Sequence, residues 1–258
     1  MGSRARCGAC QLLHDRWCHD APPCTRKQRL CDTFDPRFAE LLPGRNVQQY
    51  VDIHRSVKAG DLEANRYIQH SDWGDNADSW VEYMCQAHQI HFKAVPEIAG
   101  RIRETSVTYG WKGHERTGVE PHLIESDLSD LYRKCMLECP PPQTESEFSR
   151  WAARFLEGFF HIHPFLDGNG RIARMFIKRR ASDGGFREMQ FPDSSKERRQ
   201  YMNALEYAHR YHPRDGNAAG DNFAYYTSMG HMRKWHGPLA HWISKCFQDV
   251  PDMVDPQE

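Results

Sequence analysis

Apolar residues Phe148, Trp151, Ala152, Phe155, Leu156, Phe159 and Phe160 recur at the i, i+3, i+4, i+7, i+8, i+11, i+12 spacing of one broad helical face. Thr144, with Glu147 three residues later, supplies a capping box at the start of this segment, and Pro140-Pro141-Pro142 stops whatever precedes it. The helix runs into His163-Pro164-Phe165-Leu166-Asp167-Gly168-Asn169-Gly170-Arg171-Ile172-Ala173-Arg174. Beyond the Gly-Asn-Gly turn, Ile172, Ala173, Met175, Phe176 and Ile177 are apolar nearly all round, so a second, buried helix is expected. A helix–loop–helix unit of this kind predicts a mainly α-helical fold.

The loop itself carries the chemistry. A turn that opens a helix presents backbone N–H groups and the positive end of the helix dipole to an anion. Arg171 and Arg174 add guanidinium forks suited to phosphate oxygens. His163 is a candidate base, since an unperturbed imidazole titrates near ~6.5 and suits removal of a hydroxyl proton. Asp167 is a candidate metal ligand. Asp-Gly-Asn-Gly alone would be an ordinary turn, with Asn169 no more than a cap. The surrounding His163, Phe165, Arg171 and Arg174 make an anion site the better reading. His161 has no part in the pattern and is read as a helix-end residue.

This string resembles the signature loop of the Fic family, HPFx(D/E)GNGRxxR, and meets each fixed position of it from His163 to Arg174. The resemblance implies transfer of AMP from ATP to a Ser, Thr or Tyr hydroxyl of a target protein, with release of pyrophosphate. It implies that His163 is the general base, that Asp167 holds Mg²⁺, and that Gly168, Asn169 and Gly170 form the anion hole. Arg171 would bind the β phosphate and Arg174 the outer phosphates. Some members move UMP, phosphate or phosphocholine instead. Asp in place of Glu at 167 leaves the transferred group open, while Gly168 favours the nucleotidyl route over the phosphate-moving branch.

Other segments resemble the same family over about 78–232. Val81, Met84, Cys85, His88 and Phe92 predict a helix over roughly 78–94. Ala99-Gly100-Arg101-Ile102-Arg103 resembles the turn that leads into the family's β-hairpin flap, placed here at about 106–121. The resemblance implies that the flap edge pairs with the target backbone, a strand-addition mode. Leu123 to Met136 reads as a further helix with Ile124, Leu128, Leu131 and Tyr132 on one side. Tyr201, Ala204, Leu205 and Ala208 mark another, and Gly220-Asp221-Asn222-Phe223 opens one more, to about 232. Tyr201 and Asn203 are weak candidates for an adenine wall, with core packing the plainer role for Tyr201.

The domain organisation read from sequence is a Cys-rich segment over 1–35, a helical extension over 36–77, the catalytic core over 78–232, and a C-terminal helix and tail over 233–258. Five of the 9 cysteines are Cys7, Cys10, Cys18, Cys24 and Cys31. Cys7, Cys10, Cys18 and Cys24, with His19 or Cys31 as a substitute for one, could hold a structural Zn²⁺. The alternative is that they stay reduced. Disulfides fit less well, because no apolar signal segment follows Met1 and a cytoplasmic protein is expected. A net charge of −1 and a pI near 6.9 speak against a mainly nucleic-acid partner, and no apolar run is long enough to span a membrane.

The family's inhibitory motif, (S/T)xxxE(G/N), is not found. Glu157 is the Glu followed by Gly, but Ala153 stands four residues before it. Inhibition, if the protein is a toxin, is then expected from a separate antitoxin-like chain, from the N-terminal segment by another route, or not at all. The expected function is protein adenylylation with ATP and Mg²⁺. The alternatives are a UMP or phosphate transferase on the same scaffold, and a non-catalytic zinc-dependent binding module that keeps the loop.

Overall fold

The structure is a computed structural model, and it describes residues 42–45, 47–110, 115–191, 195–210 and 237–247. Seven α-helices and a two-stranded hairpin make up its main elements: α1 (Val47–His70), α2 (Ala77–His91), β1 (Thr108–Tyr109), β2 (Arg116–Thr117), α3 (Ile124–Tyr132), α4 (Glu145–Ile162), α5 (Asn169–Asp183), α6 (Ser195–Arg210) and α7 (Gly237–Ser244). A 3-10 turn, Pro121–Leu123, precedes α3, and a π-helical turn, Arg133–Leu137, continues it. The fold is mainly α, as the helical periodicities predict, with a small β flap, as the family resemblance implies.

Local chemistry sets the helix starts. Asn76 Oδ1 accepts from Ser79 N at 2.9 Å and begins α2. Thr144 Oγ1 accepts from Glu147 N at 3.2 Å and begins α4. The Glu147 carboxylate reaches back to Gln143 N at 2.8 Å, one residue before the position a standard capping box would use. The expected single helix over 123–136 is instead α3 with its π turn. The wider turn is fastened by Trp151 Nε1, which donates to Cys135 O at 2.9 Å.

The core is built around α4, whose apolar face is buried against α3, α5 and α7. Phe155 and Phe176 join the layers: their ring centroids are 5.1 Å apart, and Trp80 of α2 lies 6.2 Å from the first and 5.9 Å from the second. Such tilted and edge-on pairs are the geometry aromatic quadrupoles favour. A smaller cluster joins Tyr50, Ile53 and Val57 of α1 to Phe92, Val95 and Ile98 beyond α2, and Leu166 of the loop packs on it. The loop is thus seated between two apolar clusters. At the far end of α5, the Arg179 guanidinium donates to Ile68 O and Gln69 O and closes the carbonyl end of α1.

Candidate functional site

The site begins where α4 stops. Pro164 has no N–H and cannot continue a helix, so the chain turns at His163. His163 is the α4 C-cap with φ 51° and ψ 59°, the one non-glycine positive φ among the described residues. A left-handed non-glycine residue stores roughly 1–3 kcal/mol of strain and persists only where its surroundings hold it. Arg103 does the holding. Its Nε donates to His163 O at 2.7 Å, Nη2 to Ile162 O at 3.1 Å and Val119 O at 2.5 Å, and Nη1 to Thr105 O at 2.7 Å. Arg103 N also donates to Pro164 O at 2.9 Å. One buried guanidinium therefore ties the end of α4 to both roots of the flap. Burial lowers the Arg103 pKa, with Glu120 nearby opposing the shift, yet an arginine remains charged at any ordinary pH.

The loop is closed by Asn169. Its Oδ1 accepts from Phe165 N at 3.0 Å and its Nδ2 donates to Phe165 O at 2.8 Å. The resemblance implies that Asn169 belongs to the anion hole; in this structure its side-chain amide clasps Phe165 and so fixes the turn that carries the Asn169 and Gly170 N–H groups. Gly168 follows at φ 82°, and a Cβ there would come within 2.4 Å of Phe92 Cε2. Glycine is required at 168 both by the backbone angle and by the ring beneath it. Asp167 is buried, with Oδ1 accepting from Gly168 N at 2.7 Å and Oδ2 accepting from Arg171 Nη2 at 3.2 Å.

The sequence did not single out His88 for this site. It is fully buried, stacked on Phe165 at 4.1 Å and 15°, with Nε2 3.0 Å from Asp167 O. Gly100 N donates to its Nδ1 at 3.0 Å. An amide N–H can only donate, so Nδ1 is the acceptor and Nε2–H is the donor to Asp167 O. Burial pushes the His88 pKa down to about 3, outweighing its bond to Asp167. His88 is a neutral pin under the loop, not a second base. Its place on the apolar face of α2 was the available signal, and it pointed to burial alone.

The first intrahelical bonds of α5 run from Arg171 N and Ile172 N to Gly168 O, both at 3.0 Å. The N–H groups of Asn169 and Gly170 precede them and sit at the positive end of the helix. Arg171 lies over Phe92 at 5.4 Å, and Arg174 over Phe191 at 6.0 Å. His163, Asp167, Gly168, Asn169, Gly170, Arg171 and Arg174 thus form one continuous loop and helix start: an imidazole, a carboxylate, turn amides and two cations. Among the described residues no group of three or more His, Cys, Asp or Glu side chains could hold a metal ion. A single carboxylate beside an anion site suits an Mg²⁺ that arrives with phosphates, because Mg²⁺ keeps waters and needs only one or two protein carboxylates.

The flap covers this loop from one side. Thr108 pairs with Thr117 and Tyr109 with Arg116. At Gly118 an added Cβ would lie 2.6 Å from Arg103 Nη2 and 3.1 Å from His163 Cβ, so the second flap root needs glycine to approach His163 so closely. Tyr201 of α6 is buried with its ring 4.6 Å from Trp242, a packing role, while Asn203 is exposed. Cys7, Cys10, Cys18 and Cys24, together with His19 and Cys31, lie outside the described residues, as does the helix expected from Gly220. No helix among the described residues is long and apolar enough to cross a membrane.

The family model described as Fic/DOC family matches residues 79–179. A Fido domain-containing protein of Dictyostelium discoideum is 34% identical over 114 residues, which are 44% of this chain and 73% of that protein. A protein adenylyltransferase of Bartonella henselae is 30% identical over 132 residues, 45% of this chain but 23% of the relative. Among solved structures, a Fic domain containing signaling protein from Bacteroides thetaiotaomicron aligns with TM-score 0.56 at 16% identity, covering 81% of this chain and 74% of that one. The Bartonella tribocorum BepC protein with bound AMPPNP aligns with TM-score 0.53 at 19% identity, covering 78% and 88%. At these identities the two structures speak for the fold alone.

Proposed function

The chain belongs to the Fic/DOC family, and from that premise we propose that it is a protein adenylyltransferase, moving AMP from Mg·ATP to a Ser, Thr or Tyr hydroxyl of a target protein. The observation that carries the reading is the placement of His163 at the carbonyl end of α4, one short loop from the amide end of α5 and its two arginines. A base and an anion cradle within one loop are what attack of a hydroxyl on a phosphoryl centre needs.

In this proposal the Nδ1 edge of His163 faces Phe160 O at 3.3 Å, and Nε2 is the atom that accepts a proton. His163 Nε2 takes the hydroxyl proton as the target oxygen bonds to the α phosphorus. The bond from that phosphorus to the bridging oxygen breaks, and pyrophosphate leaves. The N–H groups of Asn169 and Gly170, with Arg171 and Arg174, bind the phosphate chain and stabilise the charge that grows on the leaving group. Asp167 would hold Mg²⁺, which would supply charge neutralisation to the bound phosphates. The cytoplasm, where Mg·ATP is abundant, completes the reading.

The test is incubation of the purified protein and cell proteins with ATP labelled at the α phosphate. His163→Ala should lower labelling by about 100- to 10,000-fold while circular dichroism stays unchanged. Label from UTP or from the γ phosphate of ATP instead would make the protein one of the family's other transferases. An unchanged biological effect of His163→Ala would make it a binding module. A separate inhibitory chain would act at Arg174, and addition of a neighbouring gene product without effect on labelling removes that part of the proposal.

A further inference from the structure

The imidazole of His163 does not lie open to the site. The Tyr109 ring of β1 is stacked flat on it, with centroids 4.1 Å apart and planes 9° from parallel. Arg103 fixes the backbone of His163 through its carbonyl, a bond made to the main chain and not to the ring. The Nδ1 contact to Phe160 O, at 3.3 Å, is long for a hydrogen bond. The Phe160 ring is 6.3 Å away and tilted by 49°, too far off to set a plane. The Tyr109 ring, lying flat on the imidazole, restrains that plane directly.

We propose that Tyr109 is a positioning residue: its ring holds the plane of the His163 imidazole and so aims the proton-accepting nitrogen at the incoming hydroxyl. The proposal rests on His163 being the base of the transfer reaction argued above. Tyr109 is itself held. Its cross-strand partner Arg116 lies on the same face of the flap and reaches Glu206 of α6 at 3.4 Å, with both side chains largely enclosed. Gly118 N donates to Val107 O at 3.0 Å and closes the hairpin root, where Arg103 grips Val119 O. A flap fastened at α6 and at the end of α4 keeps the ring in register with the base.

The ring acts here, not the hydroxyl. A phenol oxygen lies in the plane of its own ring, and the imidazole nitrogens direct their hydrogen or lone pair within the imidazole plane. Two parallel, stacked planes leave no line for a hydrogen bond between them. Burial also pushes the Tyr109 hydroxyl well above its ordinary pKa, so it is no alternative base. Phenylalanine should therefore replace Tyr109, and a side chain without a ring should not.

The experiment compares full-length Tyr109→Phe, Tyr109→Leu and Tyr109→Ala proteins. Leucine keeps apolar volume in the flap while removing the ring, which separates stacking from folding. Steady-state labelling with α-labelled ATP gives kcat and KM, and NMR of the ring protons of His163 reports the stack directly. Phe should keep kcat within about twofold, while Leu and Ala should lose about tenfold in kcat with KM for ATP unchanged. The His163 ring resonances should lie upfield in the wild type and Phe proteins and move downfield in the other two. An Ala protein as fast as or faster than wild type would overturn the proposal and make the ring a stopper. Phe as slow as Ala, or His163 resonances indifferent to residue 109, would also overturn it. Should the wild type transfer no nucleotide, the adenylylation reading falls, and the NMR arm still decides whether Tyr109 sets the imidazole plane.

Discussion

The amide of Asn169 holds both backbone groups of Phe165, so its removal leaves a buried N–H and a buried C=O without partners. Asn169→Ala should cost about 2 kcal/mol, read as a melting temperature lower by roughly 4–8 °C, and should abolish labelling as the loop opens. Asn169→Asp keeps the acceptor for Phe165 N but sets a negative charge beside the phosphates; labelling should vanish with a smaller thermal loss. A protein that melts like the wild type with Ala at 169 would show that the clasp is unimportant. At this scale the sequence was legible wherever the chemistry is contiguous. His163 through Arg174 are neighbours in the chain, so their types and spacing carried the reading. His88 was not legible as a loop contact, because its bond to Asp167 spans 79 positions.

At the scale of elements, the two helix ends that meet at the loop are treated oppositely. The carbonyl end of α4 is filled by the Arg103 guanidinium, the partner that the negative end of a helix dipole favours. The amide end of α5 is left to an anion. Arg103→Ala should therefore loosen α4 from both roots of the flap, at a cost of about 3 kcal/mol. Limited proteolysis should then cut between residues 104 and 120 well before the helical core is attacked. Arg103→Lys should recover less than half of the loss, since one ammonium cannot meet four carbonyls. Unaltered cleavage in the Ala protein would contradict this account. Arg103 appeared in the sequence only as the end of a turn motif; the carbonyls it serves span up to 60 positions. The helices were legible through their apolar period, but the π turn after α3 has no comparable pattern and was read as plain helix.

For the whole molecule, stability should depend on pH through Asp127. Burial, with Asp130 adding to it, pushes its pKa up to about 6 from the usual carboxylate value. The folded protein then keeps a proton that the unfolded chain, titrating near ~3.8, has already lost. The contribution is fully present below about pH 3.8 and is lost as pH rises through about 6. Asp127→Asn should thus melt like wild type near about pH 4 and a few degrees higher near about pH 7.5, with half-exposure of the side chain keeping the gain small. Equal melting curves at both pH values would show that Asp127 is well solvated in the folded state.

Sequence alone determined the class of fold, the two helices that flank the loop, and the unbroken run of candidate side chains between them, because helical period and a continuous motif are properties of neighbouring residues. Tertiary structure decided what surrounds them. His88 under the loop, Arg103 at the end of α4 and Tyr109 over the imidazole come from other elements, and nothing in their own segments states what they touch. Period reveals which face of an element is buried; only packing of one element on another selects the partner found there.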